Sequence, residues 1–211
     1  MAKNKASKAD KSADKTMVQK VLPWIFIIGG TIGLVCSFII VQDKMHILAN
    51  PNYRPSCDIN PVVACGDVMQ SKQSAAFGFS NPILGLAAFP ALITIGVAML
   101  AGAKFKRWFW IGVEVGAAFG VGFTHWLFYE SVYTIHSLCP YCMAVWVVTA
   151  TTFLYTTIYC LQNRYIVLPK HHERITAFLR RHHLDILLLW ALVIFILIMH
   201  HFWYYYGKHF F

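Results

Sequence analysis

Ser137-Leu138-Cys139-Pro140-Tyr141-Cys142 ends a short polar connection and opens a long apolar run. Proline suits the first position of a helix, where its missing N–H is not needed, so Cys139 reads as the N-cap, Pro140 as N1 and Cys142 as N3. Thiols three residues apart at a helix start lie on one side, within bridging distance of each other. The unpaired amides and positive end of the helix favour a thiolate, and Cys142 is expected to be the more reactive sulfur. The pair reads as a redox couple. A structural disulfide and half of a tetrahedral zinc site are the other uses of such spacing, and the surroundings decide among them.

Those surroundings are a membrane. Of 211 residues, 58% are apolar and 16% aromatic, while only 13% are charged, far from the make-up of an average soluble domain. Cys139 to Leu161 is one of five runs suited to crossing a hydrocarbon core; the others are Leu22 to Val41, Pro82 to Ala103, Trp108 to Glu130 and Ile186 to Tyr206. The first is too long for a signal-peptide core and no Ala-x-Ala site follows it, so it is expected to be retained. Residues 1–20 carry six lysines without apolar periodicity and read as a mobile, disordered tail. Gly112, Gly116, Gly120 and Gly122 read as a face for close helix packing. The expected fold is an all-α integral membrane protein.

Fourteen of the 18 Lys and Arg residues fall in the tail, in 104–107 and in 162–183, whereas Lys44, Arg54, Lys72 and Lys208 lie in the alternate segments. The positive-inside rule then puts the amino terminus in the cytoplasm and, after five spans, the carboxyl terminus outside. A net charge of +9 distributed between spans in this way orients a membrane protein rather than building a nucleic-acid surface. Cys57, Cys65, Cys139 and Cys142 share the outer, oxidising side, which argues against a zinc thiolate site, and no metal is expected. Cys36, inside the first span, and Cys160, near the inner end of the fourth, lie away from them.

Cys57 and Cys65 sit in the longest connection, 43–80, with Pro55 ahead of them and Pro61 between. A flexible dithiol loop can offer one sulfur to water and the other to the membrane face, and can pass electrons through a mixed disulfide to the fixed pair. The fixed pair then needs a lipid-soluble acceptor, for which quinone is the obvious class. Asn60-Pro61 reads as the start of a short surface helix with Val62, Cys65, Val68 and Met69 on one face, and Phe77 and Phe79 as its interfacial anchor. Whether the resting bridge joins Cys57 to Cys65 or Cys65 to Cys139 stays open.

Cys57-Asp58 with Cys65 eight positions on, Phe79-Ser80-Asn81 heading the second span, and Cys139-Pro140-Tyr141-Cys142 heading the fourth together resemble the vitamin K epoxide reductase (VKOR) family in its bacterial form. The resemblance implies a four-helix catalytic bundle around a quinone at 21–162 with outer loop 43–80, then a cytoplasmic basic connection at 163–183 and a fifth transmembrane helix with a short outer tail at 184–211. It implies an enzyme that reoxidises an exported thioredoxin-like protein of the DsbA type and reduces a quinone, menaquinone or ubiquinone, at the extracytoplasmic face of a bacterial inner membrane, supporting disulfide-bond formation. Carried over, Cys57 meets the partner, Cys65 attacks Cys139, Cys142 reacts with the quinone, and Asn81 with Ser80 beside it hydrogen-bonds a quinone oxygen. Asn81 could equally cap the second span. Vertebrate members have a tyrosine one turn after the last cysteine, where this chain has Trp146; indole cannot act as an acid, so quinone reduction is favoured over epoxide reduction. After residue 206 no room remains for a fused thioredoxin-like domain, so the partner is expected to be a separate protein.

Met69, Leu84 and Trp146 are candidates for an apolar pocket wall near Cys142. His125 is a candidate proton relay in the third span, and Glu130 a solvated interface residue. His171, His172, His182 and His183 belong to the basic connection, and His200 and His201 point to opposite sides of a helix, which gives no haem site. The alternatives are a DsbB-type quinone reductase, whose second dithiol belongs in the second outer loop, and a non-catalytic scaffold with disulfide-tied outer loops.

Overall fold

The computed structural model describes residues 2–50, 52–167 and 172–205, with side chains from Met17 onward. Lys170, His171, Tyr206 and Lys208, and the rest of the segment after residue 205, lie outside the described residues. The elements are α1 (Ala2–Ala49), α2 (Cys65–Gln70), α3 (Pro82–Leu100), α4 (Arg107–Tyr129), α5 (Pro140–Gln162), α6 (His172–Arg181) and α7 (His183–His201), with a 3-10 turn at Lys72–Ala75 and a π-helical turn at Glu130–Ile135. Five of them, α1, α3, α4, α5 and α7, are long and apolar enough to cross a membrane. The chain is a multi-pass membrane protein. Many side chains exposed along these helices, such as Ile28, Phe38, Val115, Leu188 and Phe195, are apolar, as a surface solvated by lipid tails allows.

α1 is longer than its apolar run at both ends. Residues 2–20, expected as a mobile tail, continue the helical backbone, because the run is rich in Ala and Lys, both strong helix formers. Packing begins at Val18, with Leu22 and Phe26 fully buried. At the other end the helix passes Val41 and stops at Ala49, so residues 43–49 are helix rather than loop.

α1 packs against α3 and α5, and α5 packs against α4. The approach of α1 to α3 depends on glycine: a methyl group at Gly85 would strike Ser37, one at Gly33 the Phe89 ring, and one at Gly96 the Pro23 carbonyl. The glycine face of α4 behaves differently. A methyl at Gly112, Gly116, Gly120 or Gly122 would meet nothing within 4 Å, so these residues do not serve close packing. Among the described residues α3 and α4 scarcely meet, and a gap opens between them.

α7 begins at His183, ahead of the expected Ile186, and runs unbroken to His201. Its far end docks through Ile198 and Phe202, which are buried with Phe128, Val132 and Leu138. The Trp190 indole N–H donates to His125 Nε2 at 2.7 Å. That makes Nε2 an acceptor, so the ring hydrogen sits on Nδ1 and is donated to the Val121 carbonyl at 2.7 Å. Both ring nitrogens are engaged, and His125 latches α7 to α4 instead of standing ready as a proton relay.

Candidate redox site

The sulfurs are brought together by a short piece of backbone pairing. Asn60 does not start a helix at Pro61; its carboxamide oxygen accepts from the N–H groups of Val62 and Val63 at 2.9 and 2.8 Å and turns the chain. Val63 then lies beside Leu138 in an isolated parallel bridge. Leu138 N–H donates to the Val62 carbonyl at 2.7 Å, Ala64 N–H to the Leu138 carbonyl at 3.1 Å, and the Ser137 hydroxyl to the Ala64 carbonyl at 3.0 Å. Ala64 precedes Cys65 and Leu138 precedes Cys139, so this register fixes the two sulfur-bearing residues against each other. α2 starts only at Cys65. The Gly66 N–H is taken by Asp58 Oδ1 at 2.9 Å, which ties down the residue after Cys57.

Cys57 and Cys65 form a disulfide, with Cα atoms 5.7 Å apart, while Cys139 and Cys142 are free thiols. All four lie in one buried apolar cluster with Ile40, Ile47 and Met69. Cys57 is 6% exposed, Cys65 0% and Cys139 1%, so the loop sulfur expected to meet water is covered. α1 supplies one wall: Cys36, Ile40, Asp43 and Ile47 are buried at helical spacing on a single stripe. Cys36, expected to lie away from the cluster, is within electrostatic reach of both Cys139 and Cys142.

Cys139 is the N-cap of α5 and Pro140 opens the helix, as the spacing predicts. The Cys139 side chain makes no capping hydrogen bond to α5, yet its thiol is held below the usual cysteine range by the adjacent Cys142 thiol and, more weakly, by the Cys142 and Tyr141 amides, against the opposing effects of burial and of the Asp43 charge. The thiol that is held down is thus the N-cap one, where the sequence reading favoured Cys142. Asp43 itself is 8% exposed. Its Oδ1 accepts from the Tyr53 hydroxyl at 2.9 Å, which pushes that phenol up, and its Oδ2 is buried without a hydrogen-bond partner.

A cavity of about 520 Å³ touches Cys139 and Cys142 and extends along the gap between α3 and α4. Met69, Ser80, Asn81, Leu84 and Trp146 all line it, and Trp146 stands edge-on to Phe128 at 5.2 Å. The 3-10 turn closes the loop end. Lys44 Nζ donates to Ser74 Oγ at 2.8 Å, Gln73 Nε2 to Glu130 Oε2 at 3.2 Å, and Asn81 Nδ2 to the Gln73 carbonyl at 2.7 Å, while Asn81 Oδ1 accepts from Ala76 N–H at 3.0 Å. Asn81 therefore pins the turn and makes no side-chain cap to α3. The neighbouring Ser80 hydroxyl is buried with no partner, the kind of group a ligand oxygen completes.

The description "Vitamin K epoxide reductase family" matches residues 24–157, a segment that takes in the four cysteines and both cavity walls. The chain belongs to that family. VKOR proteins are membrane thiol oxidoreductases and are generally linked to quinones. Among curated proteins, none matches the chain. The residues present suit a quinone: an apolar slot open along two helices, a dithiol at its end and an orphan hydroxyl beside it. α6 and α7 lie beyond the matched segment.

Sequence reasoning overlooked two carboxylates. Asp43 was assigned to the loop because the apolar run stops at Val41, although its spacing of three and four from Ile40 and Ile47 was a usable signal. Glu114 is buried in the middle of α4, with Oε1 accepting from Thr157 Oγ1 at 2.6 Å. An ionisable residue so far inside an apolar span is itself a flag.

Proposed function

We propose that this protein oxidises the dithiol of a separate, exported thioredoxin-like protein and delivers the two electrons to a membrane quinone, supporting disulfide formation outside the cytoplasm. The observation that carries the reading is the buried junction where the Cys57–Cys65 disulfide, two free thiols and the end of an apolar cavity meet. The distribution of Lys and Arg supports an orientation with the amino terminus inside and this junction at the outer face.

A partner thiolate attacks Cys57 and the partner's second thiol resolves the mixed disulfide, which leaves the partner oxidised and Cys57 and Cys65 as thiols. Cys65 then attacks Cys139 of a Cys139–Cys142 bridge, Cys142 leaves, and Cys57 resolves the Cys65–Cys139 bond. The loop disulfide is restored and the helix pair is reduced, which is the redox state of the structure. When bound, the quinone supplies an acceptor for two electrons and two protons. Cys139 and Cys142 would give these up on closing to a disulfide; Ser80, whose hydroxyl has no partner, would donate to a quinone oxygen, and Met69, Leu84 and Trp146 would wall the slot against water.

The test is a purified sample in detergent with a short-chain quinone and a reduced thioredoxin-like domain. Quinone absorbance is expected to fall catalytically, and Cys142→Ser is expected to abolish the change. Under the scaffold reading neither sample reduces any quinone, and cells carrying Cys142→Ser form exported disulfides at the parental rate.

A further inference from the structure

Thiol–disulfide exchange moves protons as well as sulfur bonds, and a buried cluster has no water to carry them. Asp43 is the buried carboxylate of this cluster. It lies on the stripe of α1 formed by Cys36, Ile40 and Ile47, and the last two pack directly among the sulfurs. One of its oxygens is fixed by Tyr53, whose ring packs against the same cluster, and the other is buried with no hydrogen-bond partner. An unpaired carboxylate oxygen in such a setting is unstable unless it serves something transient.

We infer that Asp43 carries the proton between Cys139 and Cys57 when the loop disulfide and the Cys65–Cys139 mixed disulfide interconvert. This rests on the relay proposed above and names the base that it needs. Starting from the redox state of the structure, Asp43 takes the proton of the Cys139 thiol and the Cys139 sulfur attacks Cys65. The Cys57–Cys65 bond breaks as the Cys65–Cys139 bond forms, and Cys57, leaving as thiolate, receives the proton from Asp43. One disulfide replaces another and no electron enters or leaves. In the productive direction the same steps run backward, with Asp43 returning the proton to Cys139.

The titratable groups gathered around Asp43 fit this role. Tyr53 from the loop donates to it and is in electrostatic contact with Tyr141 at the start of α5. Cys139 senses its charge from α5, and Cys36 reaches Cys139 from the same stripe. The neighbouring charged residues are directed elsewhere. Lys44 bonds Ser74, His46 stacks on the Tyr53 ring at 5.1 Å, and Asp58 bonds the Gly66 amide.

The exchange can be followed in the full chain without quinone or partner, so its failure is separable from failure of the relay's outer steps. In a Cys142→Ser background the helix pair cannot close, and Cys57 becomes alkylatable only through attack by Cys139. The rate at which a maleimide labels Cys57, mapped by peptide mass and measured where it no longer depends on maleimide concentration, reports the exchange. A built-in base makes that rate nearly flat between about pH 6 and about pH 8. Adding Asp43→Asn is expected to lower it at least about tenfold at the acidic end and to make it climb with pH until the Cys139 thiol is ionised, as for an unassisted thiol. Asp43→Glu restores the flat profile, and Tyr53→Phe keeps it. A profile that stays flat in Asp43→Asn, or equal pH-independent changes in Asp43→Asn and Tyr53→Phe, overturns the inference and reduces the pair to a loop latch. Should Asp43→Asn not fold, the background protein alone decides: exchange slower in D2O than in H2O across the flat region supports a proton in flight, and equal rates refute it.

Discussion

Gly66→Ala tests whether the loop disulfide is held by the bond across its base. A methyl group there would stand 2.9 Å from Asp58 Oδ2, too close for either to remain, while Asp58 Oδ1 holds the Gly66 amide at 2.9 Å. Displacing Asp58 removes a hydrogen bond to a charged group, which contributes about 1.5–3 kcal/mol where it is shielded and about half that where it is partly exposed, as Asp58 is. Because Asp58 and Gly66 are the immediate neighbours of Cys57 and Cys65, the bond and the disulfide close the same loop, and their free energies are linked. About 1.5 kcal/mol lost from the closed loop corresponds to roughly 30 mV in the two-electron couple and about a tenfold shift in a dithiothreitol titration. The decisive arm is the Asp58→Ala background. There the methyl has no carboxylate to meet, and the same Gly66→Ala change should become favourable by about 0.5–1 kcal/mol, since alanine is the better helix former inside α2. Thermal unfolding and the redox titration of all four combinations give the coupling. An equal penalty for Gly66→Ala in both backgrounds refutes the close contact with Asp58.

Ser80→Ala is expected to raise the quinone KM by about 2–10-fold, the worth of one neutral hydrogen bond, with kcat little changed in a short-chain quinone assay. Because the Cys142 thiol holds the Cys139 thiol below the usual range, the first thiolate absorbance of the protein with Cys142 intact should appear at lower pH in the folded protein than in the unfolded chain. The stability tied to that shift is present above the unfolded thiol's pKa and is lost as pH falls through the folded one; Asp43→Asn, by removing an opposing charge, moves the transition further down. Gly96→Ala, which meets the Pro23 carbonyl at 2.7 Å, should lower stability by about 1–3 kcal/mol, whereas Gly116→Ala, which meets nothing, should raise it by about 0.5–1 kcal/mol. Replacing Gly116 by leucine is expected to leave folding intact and slow reduction of long-tailed quinones more than short ones, because the side chain enters the gap between α3 and α4.

What could be read from the sequence followed from how local each signal is. A proline after a cysteine at the head of an apolar run fixes a helix start by local geometry alone, and Cys139 and Pro140 occupy those positions. Span length and apolarity are equally local, and five helices meet them. The start of α2 was misplaced because the Asn60 carboxamide bonds the Val62 and Val63 amides and frees the chain to pair with Leu138, a partner more than seventy residues away. The glycines of α4 were misread for a similar reason: small residues permit either close packing or an opening, and only the position of α3 decides which. The role of α7 hangs on Trp190 meeting His125, a pairing that no spacing rule encodes.

Burial of the sulfurs then sets a requirement on access. With Cys57 at 6% and Cys65 at 0% exposure, no partner thiol reaches the disulfide while the loop is closed. Residues 52–58 are tied to the rest of the protein chiefly by the Tyr53 hydroxyl on Asp43, the Tyr53 ring on His46 and the Asp58 bond to Gly66, whereas Ile59 and Asn60 are bonded to Val62 and Val63. Cys65, by contrast, follows the backbone pairing of Val62 to Ala64 with Leu138 and stays fixed next to Cys139. The two halves of the disulfide are therefore unequally anchored. Opening residues 52–58 would expose Cys57 while leaving Cys65 in place for Cys139, so one sulfur can face a soluble partner without the other losing its register. A chain carrying both Cys57→Ser and Cys142→Ser tests this division: if Cys65 is anchored by the Leu138 pairing and not by its disulfide, diamide, as the two-electron oxidant, should close the Cys65–Cys139 bond at close to full yield, and a Cys65 thiol that remains free would show that the loop disulfide, not the backbone pairing, sets its position.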